Sequence, residues 1–104
     1  MRYVVKKLPP AEWDLLEAAV WYDDQGEGLA DRFLAEVDSA VASLEVQPQI
    51  YDGRFADVRC VRLKRFHAYG VYYLIRGTEV WIIAVLHGAR DPDELAARRT
   101  QIDG

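Results

Sequence analysis

A single cysteine, Cys60, stands in a chain of 104 residues. No intramolecular disulfide can form, and a lone thiol suits a reducing compartment. With only two histidines beside it, a Cys/His zinc site is excluded. No apolar run approaches the ~20 residues of a membrane span, and the opening segment Met1–Pro10 does not read as a secretory leader. A Gly-rich phosphate loop, a serine nucleophile elbow and a metal-spaced cluster are missing as well. An excess of positive charge is also lacking: the net charge is −4, so charge alone gives no reason to expect a nucleic-acid partner. These shortages lead us to expect a cytoplasmic protein with no membrane contact, no metal and no cofactor.

What the chain does have is enough apolar character, 51%, to bury a core, and residues 1–104 read as one domain. Its charge is divided unevenly. Residues 1–53 hold 4 basic and 11 acidic side chains, whereas residues 54–104 hold 9 basic and 6 acidic. The split suggests an acidic face and a basic face, the latter suited to phosphates or to an acidic peptide, though ordinary solvated charge reads the same way.

The local pattern predicts a short strand at Tyr3–Val5, then a helix from Ala11 to about Asp24 behind Pro9 and Pro10. Trp13, Leu16 and Val20 recur at helical spacing and form the expected core stripe, with Leu15, Ala19 and Tyr22 alongside. Gly26 and Gly28 break that helix. A second runs from about Leu29 to Val46, its buried face marked by Phe33, Val37, Ala40 and Leu44. After a loop from Gln49 to Ala56, three segments rich in β-branched and aromatic residues read as an antiparallel meander: Val58–Phe66, Tyr69–Arg76 and Glu79–His87. A weakly apolar helix at Asp91–Ile102, capped by Asp91 and anchored by Leu95, closes the chain. The order is β-α-α-β-β-β-α, an α+β domain with its helical hairpin packed on one face of a small, mainly antiparallel sheet.

Tyr69–Ile75 and Val80–Leu86 carry bulky apolar side chains on both parities, so both faces of the sheet should be apolar. The hairpin covers only one. With so few apolar residues in the last helix, the other face is expected to be an interaction surface, leaving the isolated chain prone to self-association; the alternative is that the last helix itself folds over that face. The densest basic cluster, Arg59 to Arg65, puts Arg62 and Lys64 on the face opposite Val61 and Leu63. The last strand ends in His87, followed by Arg90. Cations and an imidazole are the parts with which a metal-independent ribonuclease moves a proton and stabilises charge on phosphorus; His67 is a second imidazole. A basic strand is also a common solvated sheet edge.

These residues, taken as an ordered set, resemble the toxins of the RelE/ParE superfamily. The resemblance is carried by Ala18-Ala19-Val20-Trp21-Tyr22-Asp23, Gly28-Leu29-Ala30-Asp31-Arg32-Phe33, Pro48-Gln49-Ile50-Tyr51, Val61 to Phe66, Tyr72-Tyr73, and Val85 to Asp91. It covers about residues 3–99 and implies the toxin of a type II toxin–antitoxin (plasmid stabilisation) module, neutralised by a co-encoded antitoxin that wraps around it. ParE-like members poison DNA gyrase; RelE-like members cut mRNA in the ribosomal A site. By that resemblance, Arg62 and Lys64 match two basic catalytic side chains of the ribonucleases, and Arg90 matches a phosphate-stabilising arginine. Yet Gly70 stands where those enzymes place a second essential arginine, Ala96 where they place a tyrosine, and no tyrosine follows Tyr73. The runs Arg65–Tyr69 and His87–Asp91 look more like ParE.

Three expectations follow. The first is a non-enzymatic gyrase inhibitor whose target or antitoxin contacts are Arg62, Lys64, Arg65, Tyr72, Leu74 and Arg90. The second is a ribosome-dependent endoribonuclease using Arg62, Lys64, His87 and Arg90. The third is a non-toxic member that only binds an antitoxin. In each the partner is an antitoxin, as a heterotetramer or beside a homo-oligomer.

Overall fold

The computed structural model of the chain describes residues 2–66, 68–88 and 92–103, apart from the side chains of Phe55, Pro92 and Asp103. Strand β1 (Val4–Lys7) leads through an extended Leu8 into helix α1 (Pro9–Gln25), with prolines where the first helical N–H groups have no partner. Gly28, at φ 80°, opens helix α2 (Leu29–Leu44) in the left-handed region that glycine adopts without strain. A 3₁₀ turn (Pro48–Ile50) precedes β2 (Gly53–Phe55), β3 (Val58–Arg62), β4 (Tyr69–Arg76), β5 (Glu79–His87) and α3 (Pro92–Asp103). The sheet order is β1-β5-β4-β3-β2, with β1 parallel to β5 and the other pairs antiparallel. This is the expected α+β order, with one addition. The segment expected as loop contains the 3₁₀ turn and the three-residue β2, too short to announce itself by alternation.

Strand β3 is shorter than the expected Val58–Phe66. Glu36 on α2 accepts the Arg65 N–H at 2.9 Å, and the Phe66 ring packs edge-on against Tyr22 and Phe33 at 4.8 and 5.5 Å. These contacts draw residues 64–66 off the sheet and over the helices.

Both sheet faces are apolar, as expected. On the hairpin side, Val61, Leu63, Val71, Tyr73, Val80, Ile82 and Val85 meet Phe33, Val37, Ala40 and Leu44. Burial drives the Tyr73 hydroxyl pKa up, and the group donates to the Pro48 carbonyl. Helix α1 turns a different stripe inward from the one expected. Ala11 and Ala18 are buried, with Leu15 and Tyr22 beside them, whereas Trp13, Leu16, Val20 and Trp21 face out. Two alanines allow the helix axis to approach the sheet closely, which tryptophan and leucine there would prevent.

The second face is also covered, contrary to the expectation of an open surface. Val58, Cys60, Tyr72, Leu74, Ile83, Ala84 and Leu86 are buried with Leu8 and Leu95, and Ile102 packs beside them. A bulge in β5 helps: Tyr72 pairs with Ala84 but Tyr73 with Ile82, so the consecutive residues Ile83 and Ala84 both face α3. Burying Leu95 contributes roughly 2 kcal/mol, little for a helix of this length.

The missing anchor is ionic. Arg98 of α3, 9% exposed, donates to both carboxylate oxygens of Asp14 on α1, at 2.6 and 3.3 Å, to the Ile83 carbonyl at 3.1 Å and to Glu94 at 2.8 Å. Asp14 in turn accepts the Val85 N–H at 3.0 Å. Since β1 ends at Lys7, opposite Ile82, Asp14 and Arg98 take up β5 backbone groups beyond the reach of that strand. A second clamp lies nearer the end of α3. Asp57, in the β2–β3 turn, meets Arg99 Nε at 2.5 Å and Arg76 at 2.7 Å. The Arg99 hydrogen bond, aided by Arg76 and opposed by burial, holds the Asp57 carboxyl at about 2.

Two stability measurements test these clamps. Asp14→Ala and Arg98→Ala should each cost about 3–5 kcal/mol in urea unfolding, because each leaves a buried charge alone. The double variant should cost far less than the sum; additive losses would mean the two groups are not coupled. Asp57 has a folded pKa below its ordinary 3.8, so the unfolded chain binds more protons in acid. Its contribution is complete above about pH 4 and fades as pH falls through about 2. Asp57→Asn should flatten the pH dependence of unfolding in that window, and an unchanged slope would rule out this carboxyl as its source.

Candidate functional site

Arg62 ends β3 and is exposed, as is Lys64 on the bend after it; Val61 and Leu63 between them are buried, so the expected alternation holds past the end of the strand. Arg65 is exposed as well. Arg59 points the other way, and its Nη1 donates to the Gln49 and Tyr51 carbonyls at 3.0 and 2.8 Å, holding the loop before β2. The exposed cations at this end are therefore Arg62, Lys64 and Arg65 rather than the whole cluster.

Cross-strand register locates them relative to the histidine. Arg62 pairs with Gly70, which pairs with Leu86. Leu86 belongs to the face under α3, and Arg62 lies near enough to Tyr72 on that face to oppose the upward shift that burial gives the phenol, as does Arg54. His87, one residue on, has the opposite parity. Its ring meets Tyr69 edge-on at 5.1 Å, and Tyr69 stacks in turn on Phe33 and Tyr22 under the helical hairpin. Arg62 and His87 thus sit on opposite faces of the sheet.

Of the expected contact residues, Tyr72 is 5% exposed and Leu74 0%, both in the buried cluster that Leu95 of α3 completes. Tyr72 donates to the Gly88 carbonyl at 3.3 Å. Arg90, His67 and the Asp91 cap lie outside the described residues. Gly70 has a packing reason to be glycine: a Cβ there would fall 2.6 Å from Cys60 Sγ and 3.4 Å from the Tyr72 ring.

The feature missed from sequence is a groove of about 800 Å³ where α1, the end of β5 and α3 meet. Trp13, 64% exposed, and Trp21, 53% exposed, stand along its α1 wall with Glu17 between them. Tyr22, Tyr69, Leu86 and His87 form the inner wall, and the Asp14–Arg98 pair closes one end. Burial, then the neighbouring Tyr69, raises the Tyr22 pKa. The signal was present in the sequence: α1 carries apolar residues all round its circumference, more than one core stripe can use. Among the described residues, no group of three His, Cys, Asp or Glu side chains could hold a metal, and no helix is long and apolar enough to cross a membrane.

Comparison with known proteins bears on the whole chain. The family model described as the ParE toxin of the type II toxin-antitoxin system, parDE, matches residues 5–92. Among solved structures, one titled as the chromosomal ParDE TA system from P. aeruginosa is similar with a TM-score of 0.73 and 20% identity, over 85% of this chain and 98% of that one. The E. coli toxin RelE, as a double arginine-to-alanine mutant in the free state, gives a TM-score of 0.60 and 16% identity over 98% and 99% of the two chains. At such identities the likeness is one of fold. No curated protein sequence matches.

The Gly70 contact is directly testable. Gly70→Arg should destabilise the chain by about 1–3 kcal/mol through overpacking, and adding Cys60→Ala should restore part of that loss in thermal unfolding. If Gly70→Arg is neutral alone, packing is not what keeps glycine there.

Proposed function

Because the chain belongs to the family of ParE toxins of type II toxin–antitoxin systems, we propose that it arrests growth by binding and inhibiting DNA gyrase, without cutting RNA, and that a co-encoded antitoxin neutralises it in the cytoplasm. The observation that carries this reading is the separation of Arg62 from His87 across the sheet. A ribonuclease must bring a proton-transfer group and charge-stabilising cations to one phosphate, within hydrogen-bond reach of the same atoms. Gly70 adds to it, since a side chain at that strand position would have to displace Cys60 Sγ.

A binding toxin asks for less. Arg62, at the end of β3, and Lys64 and Arg65, on the bend that follows it, are all exposed, and such cations steer association with an acidic or phosphate-rich partner. Arg90 follows β5 in sequence and is proposed to extend the same basic contact. The acidic first half of the chain then remains for the antitoxin. The assembly is proposed to be a toxin–antitoxin complex of the heterotetrameric kind.

The test is induction in a bacterium with labelled thymidine and methionine followed together over the first minutes. Thymidine incorporation should fall first, and the paired change Arg62→Ala, Lys64→Ala should weaken the effect by ~10-fold or more. Methionine falling first, with codon-phased cuts in mRNA abolished by Arg90→Ala, would replace this reading with the ribonuclease one. If neither label falls, the chain is a member that binds an antitoxin only.

A further inference from the structure

Beyond Arg62 the chain leaves the β3 ladder, and a connecting bend in that position is ordinarily mobile. Here it is fastened. The Leu63 N–H donates to the Tyr69 carbonyl at 3.2 Å, and the Tyr69 N–H donates to the Phe66 carbonyl at 2.8 Å. The Phe66 ring is half-buried against Tyr22 and Phe33. These ties flank Lys64 and Arg65 without touching their own backbone. Glu36 does that from α2: its two carboxylate oxygens accept the Arg65 N–H at 2.9 and 3.3 Å.

A carboxylate beside a lysine and an arginine would ordinarily pair with one of the side chains. Lys6 shows that outcome at the other edge of the sheet, where its ammonium meets Glu79 at 2.6 Å and lies over the Trp81 ring. Glu36 does otherwise. The side chains of Lys64 and Arg65 are exposed and form no ion pair among the described residues, while the half-buried Glu36 applies its charge to a main-chain N–H. A charged acceptor makes such a bond roughly twice as strong as a neutral one. The arrangement works against the field, because a negative charge beside two cations lowers their pull on an acidic partner. What it supplies is a fixed main chain, so less freedom is lost when the two cations meet a partner.

We propose that Glu36 is a positioning residue for the basic contact: it pins the Arg65 backbone to α2, so that Lys64 and Arg65 meet the target in one arrangement. What they meet rests on the gyrase-binding reading above; the fixing of the bend rests on the geometry alone. Removing the carboxylate then has two effects of opposite sign. By charge alone, Glu36→Ala makes the bend more positive and tightens binding to any acidic surface. By positioning, it weakens binding to a shaped surface and spares only a polyanion too flexible to read shape.

Affinities of the full chain for purified DNA gyrase and for heparin, a flexible polyanion, separate the two effects. Glu36→Ala should lose ~10-fold in gyrase affinity while holding or gaining on heparin. Glu36→Gln removes the same charge, but its amide oxygen still accepts the Arg65 N–H, so gyrase affinity should return to within ~3-fold of the unaltered chain. Hydrogen exchange at the Arg65 amide should quicken in the alanine variant and stay slow in the glutamine one. Asp57→Ala, which frees α3 at the other end of β3, should lower stability and leave gyrase affinity unchanged. A loss confined to Glu36→Ala is then no by-product of a weaker fold. Tighter gyrase binding by Glu36→Ala, equal losses for alanine and glutamine, or an equal loss for Asp57→Ala overturns the inference and leaves the gyrase reading standing. An unaltered chain that binds heparin but not gyrase removes that reading, and the role of Glu36 falls with it.

Discussion

The ion pair between Asp14 and Arg98 ties together parts that have no other strong reason to stay in register. It joins α1 to α3 across the outer edge of β5, where β1 has already ended and the ladder on that side is gone. Arg98 satisfies the Ile83 carbonyl and Asp14 satisfies the Val85 N–H, so two polar backbone groups are not left bare at the rim of an apolar face. Removing either partner strands a charge in a site with little water, and that penalty exceeds the roughly 2 kcal/mol that Leu95 contributes by burial. The second apolar face is closed because this pair seats α3 on it, and the groove beside α1 has its shape because the pair forms one end of it.

Much of the architecture could be read from side-chain period alone. Phe33, Val37, Ala40 and Leu44 are all buried at the spacing that named them. Both parities of β4 and β5 are buried, as their composition demanded. What could not be read depends on choices that period leaves open. In α1, Ala11-Leu15-Ala18-Tyr22 and Trp13-Leu16-Val20 are stripes of equal period and different phase, and the smaller residues face inward. Close approach to the sheet, a tertiary constraint, decides between them. In α3, a count of apolar residues predicted a loose helix, because an arginine in a polar run carries no mark of the aspartate more than eighty positions earlier that will neutralise it.

The candidate site divides in the same way. Exposure of Arg62 and Lys64 followed from their alternation with Val61 and Leu63. Whether His87 joins them depends on the pairing of β3, β4 and β5, and adjacent residues on one strand point to opposite faces. Leu86 and His87 are such neighbours: one lies beneath α3, the other stacks on Tyr69 beneath the hairpin. Similarly, the burial of Tyr72 and Leu74 depends on the seating of α3, which period alone does not announce.

A shared fold does not carry the chemistry in its backbone, so discrimination must come from individual positions. Gly70 is the most telling of them here. Cys60 Sγ occupies the space that a Cβ at position 70 would need, so a side chain there must displace it within the face under α3. Packing against Cys60 therefore accounts for glycine at this position, and the exposed cations Arg62, Lys64 and Arg65 lie outside that constraint.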